Sequence, residues 1–201
     1  YRRQRQMCIR DRYKYPLENY DKAFEKVAWA LSFRGYTGNN WFAAESSTLV
    51  AAALSLKDAQ KRNFYLDFYL NRDTVVDGCG QLSLPSASKL WFTPDGHWKE
   101  PGGYHNYPVS KLIEAALMLE NNGYQIFNQY PILLNASYVM LKYSFPDLTA
   151  SAFGDTGRPR QSMECLESAI LMADKYQLPI LPDLLNAAMI LEQAGQYDRS
   201  K

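Results

Sequence analysis

Apolar residues recur at three- and four-residue steps along most of the chain, the period of one face of an α-helix. Over 18–33, Tyr20, Ala23, Phe24, Val27, Ala28 and Leu31 share one face, and Gly35 and Gly38 end the pattern. A second helix is predicted over 41–55, with Leu49, Val50, Ala53 and Leu54 turned inward. A third is predicted over 57–71 and carries Phe64, Tyr65, Leu66, Phe68 and Tyr69. The period returns over 108–121, 129–143, 160–176 and 182–194. Pro108 suits the first turn of its helix and Gly123 its stop, while Pro179 and Pro182 mark the entry to the last helix. No pair of alternating strands joined by a two-residue turn is evident, nor any repeat of the tetratricopeptide kind. The pattern predicts an all-α domain of helical hairpins packed side by side.

Two stretches interrupt it, 73–107 and 144–159. The first is rich in glycine and proline (Gly78, Gly80, Gly96, Gly102, Gly103; Pro85, Pro94, Pro101) and has few periodic apolar positions. Its aromatics, Trp91, Phe92, Trp98, Tyr104 and Tyr107, argue against disorder. A long ordered loop in a compact domain is usually functional.

Composition narrows the class. The 201 residues are 47% hydrophobic, 14% aromatic and 21% charged. That is enough for a core of ordinary size, and no apolar run is long enough to cross a bilayer. These values argue against a disordered tail, a membrane span and a disulfide-stapled miniprotein.

The formal charge of +1 is misleading. Residues 1–12 have no hydrophobic period, and Met7–Arg12 matches the in-frame translation of a sequencing-adapter end, so they are expected not to belong to the fold. Read as native, they would be a basic arm for nucleic acid. Without their five Arg and one Asp, the other 189 residues hold 17 basic and 20 acidic side chains, a charge of −3. Such a balance argues against a nucleic-acid partner.

Cys8 leaves with that segment. Cys79 and Cys165, with neither CxxC nor His spacing, are expected to be buried thiols, not metal ligands. A foreign start, and a last helix that stops shortly before Lys201, make residues 13–201 read as an internal fragment of a longer protein. The true N-terminus, and with it any signal peptide, would then be missing.

Candidate chemistry gathers in three places. The densest is Asp95-Gly96-His97-Trp98-Lys99-Glu100-Pro101-Gly102-Gly103-Tyr104-His105-Asn106-Tyr107, which holds both histidines of the chain. Glycines there would let the backbone approach a ligand closely, and aromatic faces suit the apolar faces of sugar rings. The second is Arg34-Gly35-Tyr36-Thr37-Gly38-Asn39-Asn40-Trp41, where an Asn either caps the following helix or meets a ligand. The third is Phe153-Gly154-Asp155-Thr156-Gly157-Arg158, a turn whose Asp is either incidental or part of a site.

The first segment resembles the DG-x-W-x-E-x-x-GYH-x-Y signature of heparinase II/III-like polysaccharide lyases, a family that includes related alginate lyases. Asn39-Asn40-Trp41 is similar to their upstream Asn-Trp motif, and Phe153-Gly154-Asp155 to their following GD turn. The order is the same, and the likeness spans about 18–195.

The resemblance implies an incomplete α/α toroid, with a C-terminal β-sandwich domain lying beyond residue 201. It implies β-elimination at a uronic acid in an anionic polysaccharide. By motif position, Asn40, with Asn39 as alternative, would hydrogen-bond the sugar carboxylate, and Tyr104 would protonate the leaving oxygen and could serve as base. A tyrosine near its ordinary pKa of ~10 needs a nearby positive charge or strong donors for that second role, and His105 and Arg158 are the candidates. Trp41, Trp98 and Tyr107 would stack on sugar or shape the cleft, and Glu100 would orient its neighbours. No cofactor is implied in this segment; a structural metal would belong to the β-sandwich domain. A periplasmic or extracellular location is implied.

Lys99 and Pro101 depart from the small residues common around the Glu. The further catalytic partner that the family draws from later chain is absent, so the fragment alone is expected to be inactive. Two readings compete with the lyase. One is an α/α-barrel glycoside hydrolase using carboxylates among Asp95, Glu100 and Asp155. The other is a non-catalytic helical module that binds glycan or protein.

Overall fold

The computed structural model describes residues 17–100, 104–150 and 160–196. Among them are ten helices and only isolated β-bridges, so the all-α expectation holds. The helices are α1 (Leu17–Arg34), α2 (Asn39–Leu54), α3 (Ala59–Leu70), α4 (Leu84–Trp91), α5 (Asn106–Glu120), α6 (Ile126–Gln129), α7 (Ile132–Ala136), α8 (Val139–Lys142), α9 (Met163–Lys175) and α10 (Leu181–Gln193). Residues 1–12 lie outside the described residues.

Helix α2 is the pivot. Phe42, Ala43, Ser46, Ser47, Leu49, Val50, Ala52 and Ala53 are all buried, so apolar and small residues surround the helix instead of forming a stripe. A helix of that composition must be covered on several sides. Helices α1 and α3 pack on it, and α5 runs along it. Helix α9 then packs on α5 and α7, and α10 packs on α9. One apolar cluster links Phe42, Tyr69, Leu112, Phe127, Leu133, Leu166 and Leu184 across these helices.

The starts and stops follow local chemistry. Asp58 caps α3, its Oδ1 accepting from the N–H groups of Gln60 (2.8 Å) and Lys61 (3.3 Å). Ser162 caps α9 by accepting from Cys165 N. After α5, Tyr124 N donates back to Leu119 O at 3.1 Å across Gly123, whose φ of 90° is open to glycine at no steric cost.

Several expectations change. Helix α1 was expected to bury Tyr20, Phe24 and Val27, but all three are exposed; its packed side is Ala28 and Ser32, with Leu31 half-buried. The stretch 129–143 is not one helix but parts of α6, α7 and α8. Pro131, with no N–H to donate, precedes α7 and stops any continuous ladder. Within 73–107, the eight-residue α4 begins with Pro85 in its first turn. Helix α5 starts at Asn106, two residues before the expected position. Cys165 is buried as expected, whereas Cys79 is exposed. None of the described helices is long and apolar enough to cross a membrane.

One buried carboxylate ties the second half together. Glu120, its side chain almost fully buried, accepts from Lys175 Nζ (2.7 Å), Tyr176 OH and Phe127 N (3.2 Å). Burial alone would raise its pKa, but these donors outweigh it and hold the carboxyl below its usual range. Glu120→Ala should lower the unfolding free energy by about 3 kcal/mol, because the Phe127 N–H and the Tyr176 hydroxyl lose their acceptor. Urea titration of both proteins reads this directly. A change within error would show that the network carries no net stability.

Candidate functional site

Residues 92–98 form a tight turn. Phe92 and Trp98 form an isolated antiparallel bridge. Inside it, Thr93 N donates to His97 O (2.8 Å), and Gly96 N to Thr93 O (2.9 Å). Thr93 Oγ1 donates to Asp95 Oδ1 at 2.6 Å and accepts from His97 N at 2.9 Å. Gly96 has φ of 97°, and a Cβ there would stand 2.7 Å from Ala136 N and 2.8 Å from Asn135 Cβ. The turn is thus seated on the end of α7. Gly96→Ala should destabilise by more than ~1 kcal/mol through combined backbone strain and overlap. A thermal midpoint equal to that of the parent would refute this seating.

The His105 ring binds back onto this turn. It is fully buried; its Nδ1 accepts from Trp98 N at 2.9 Å, and its Nε2 donates to Ala136 O at 2.8 Å. An N–H donor at Nδ1 requires the neutral ring protonated at Nε2. Burial pushes its pKa down to about 4; the Ala136 carbonyl and Asp95 oppose this by less, and His97 adds a little in the same direction. The role expected for His105, a positive charge beside Tyr104 or a contact to ligand, is therefore corrected: near neutral pH the ring is uncharged, and both nitrogens are occupied by backbone.

Trp98 is likewise a structural residue. It is fully buried and stacked on Trp91, with ring centroids 5.4 Å apart and planes 15° from parallel. Sugar stacking on Trp98 is excluded by that burial, and shaping the loop remains. Its Nε1 donates to Glu100 Oε2 at 2.8 Å.

Tyr104 lies directly before α5 and is half-buried, while Tyr107, in the first turn of α5, is 47% exposed. Bonds from this strip reach other elements. The ring of His105 holds Ala136, and Asn106 Nδ2 donates to Arg160 O.

The second candidate segment opens α2. Asn39 adopts φ of 49°, a left-handed conformation that Asn tolerates better than most residues, and its Oδ1 accepts from Trp41 N at 3.1 Å. That oxygen is committed to starting the helix, as the capping alternative expected. The described hydrogen bonds leave the amide of half-buried Asn40 without a partner, and Trp41 is 63% exposed. The preceding turn is clamped from two sides. Glu45 Oε2 accepts from Tyr36 N at 2.6 Å, and Gly80 N donates to Gly35 O at 2.8 Å. Burial raises the pKa of Glu45, and the Tyr36 N–H partly offsets this. No described hydrogen bond joins Asn39, Asn40 or Trp41 to the Asp95–Tyr107 segment. Phe153–Arg158, with Asp155 and Arg158, lies outside the described residues, as do Pro101, Gly102 and Gly103.

Two residues that the sequence did not single out complete this region. Glu45 holds the turn before Asn39, and Tyr143 donates its hydroxyl to Asp95 Oδ2. Hydrogen bonds from Thr93 and then Tyr143 hold the Asp95 carboxyl below its usual range. Searches of protein-family models, of curated proteins and of solved structures find no match to this chain.

Proposed function

We propose that the protein is a polysaccharide lyase that cleaves a uronate-containing polymer by β-elimination, on an α/α toroid of which this chain is a part. The observation that supports it best is the anchoring of the segment carrying Tyr104. The next residue, the buried neutral His105, is bonded to Trp98 N and Ala136 O, beside a stacked indole pair and a glycine turn. Acid–base catalysis rewards such placement, because reacting groups must be held within a fraction of an ångström.

In the reaction, a base removes the proton on C5 of the uronate. Its electrons form the C4–C5 double bond, and the C4–O bond breaks as the departing oxygen takes a proton. Tyr104 supplies that proton, and Asn40 donates to the carboxylate that stabilises charge developing at C5. The commitment of Asn39 Oδ1 to Trp41 N favours Asn40 for this part. Trp41 and Tyr107 offer exposed rings to the sugars. A large extracellular substrate places the enzyme in the periplasm or outside the cell.

The hydrolase reading needs a carboxyl kept protonated to serve as acid. Asp95 is held in the opposite state by its two hydroxyl donors.

The test is ultraviolet absorbance of unsaturated uronate during incubation with a panel of uronate polymers. Both this chain and the longer gene product expected from the sequence would be assayed. Growing absorbance on one polymer supports elimination and names the substrate. New reducing ends without absorbance would transfer the assignment to a hydrolase. Saturable binding with neither would leave a binding module.

A further inference from the structure

The turn that seats Gly96 also carries side chains that elimination at Tyr104 does not use. Tyr143 follows α8 and keeps 54% of its surface exposed, yet it is not free to turn. Its hydroxyl is bound to Asp95 Oδ2, and its ring meets that of His97 edge-on, centroids 5.3 Å apart at 82°. His97 is fixed in turn. Its Nδ1 donates to Trp98 O at 2.6 Å, and its ring lies 4.9 Å from that of buried His105. Asp95 is fixed by Thr93 at 2.6 Å.

An exposed aromatic ring held at its hydroxyl and its edge has little side-chain freedom left to lose on binding. The arrangement offers a flat apolar face with a carboxylate acceptor at its rim. That combination fits a pyranose, whose ring face is apolar and whose edge carries hydroxyl donors. We propose that Tyr143, Asp95 and His97 form a sugar subsite that receives an uncharged ring.

Charge gives the preference. Asp95 would repel a carboxylated sugar at this position while accepting from a neutral one. The cation next in sequence, Lys142, lies over the Tyr138 ring, 4.8 Å from its centroid. The subsite shares a loop with Tyr104 through the His97–His105 contact. Resting on the lyase reading, it deepens that reading: the substrate carries neutral sugars beside its uronates and is not a pure polyuronate.

The test is calorimetric titration of the chain with neutral tetrasaccharides (cello- and chitotetraose) and with tetragalacturonate. The neutral probes are expected to bind saturably and more tightly than the uronate. Tyr143→Ala should weaken them at least ~10-fold, which corresponds to about 1.4 kcal/mol. Asp95→Asn should narrow the gap between neutral and charged probes. Far-ultraviolet circular dichroism checks that each variant is folded. Should Tyr143→Ala unfold, Tyr143→Phe, which keeps the ring and releases its hydroxyl anchor, carries the same expectation at smaller size.

Unaltered neutral binding in the folded variants, no binding of either neutral probe, or a uronate preference untouched by Asp95→Asn would each overturn the subsite. Absence of elimination on every polymer would instead sink the lyase reading, leaving the binding result to stand by itself.

Discussion

On the lyase reading, Tyr104→Phe should lower the elimination rate at least ~10²-fold, the usual scale for one general acid. The substitution keeps the ring and removes only the hydroxyl, so a loss of rate isolates proton transfer from packing. If Tyr104 protonates the leaving oxygen, the deficit should be largest on substrates with a poor leaving group and should shrink when an aryl ether takes its place. Continuous absorbance measurements give kcat and KM separately. A loss confined to KM would make Tyr104 a binding residue. Full activity in the variant would remove it from the mechanism.

His105→Ala should cost about 3–5 kcal/mol of stability. It opens a cavity in the core, leaves Trp98 N–H without an acceptor and leaves Ala136 C=O without a donor. A pH signature distinguishes this from ordinary core damage. The folded pKa of about 4 lies below the ordinary value of 6.5, so the unfolded chain binds the extra proton first as pH falls. Stability from this residue is complete above about pH 6.5 and is lost on the way down to about pH 4, a drop of about 3 kcal/mol. The carboxyls of Asp67, Asp73, Asp95 and Glu120 are all held low, so their losses begin at the ordinary carboxylate values and continue below them, overlapping only the acid end of the His105 window. Glu45, raised by burial, acts in the opposite direction. Denaturant titrations across this window should show the slope in the parent and its absence in the variant. A parent whose stability is flat between pH 4 and 6.5 would mean that the ring is solvated or charged.

Periodicity alone placed the central helices well. Helix α2 was legible because Leu49, Val50 and Ala53 repeat at helical steps, and Asp58 and Gly123 mark boundaries with specific chemistry. Periodicity failed where tertiary contacts decide. The apolar residues of α1 suggested a buried face, but only the Ala28–Ser32 side meets α2 and α3. Helix α4 escaped notice because Pro85 and two serines disguise eight residues that begin with a proline-compatible turn.

The site was legible as a segment and not as a set of roles. His105 and Trp98 are residue types that serve ligands and cores equally well, and only their bonds to Ala136 O, Trp98 N and Glu100 separate the two. Tyr143 could not be found from sequence, because its partner Asp95 lies far away along the chain and no motif links them.

The Trp91–Trp98 stack has a practical consequence. Two indoles so close and nearly parallel share their excited state, and they should give the near-ultraviolet circular dichroism of this protein a signal originating in one place. That signal would report the order of the loop that holds His105 independently of total helix content. An acid titration could then show whether the loop lets go before the helices do, with no label attached.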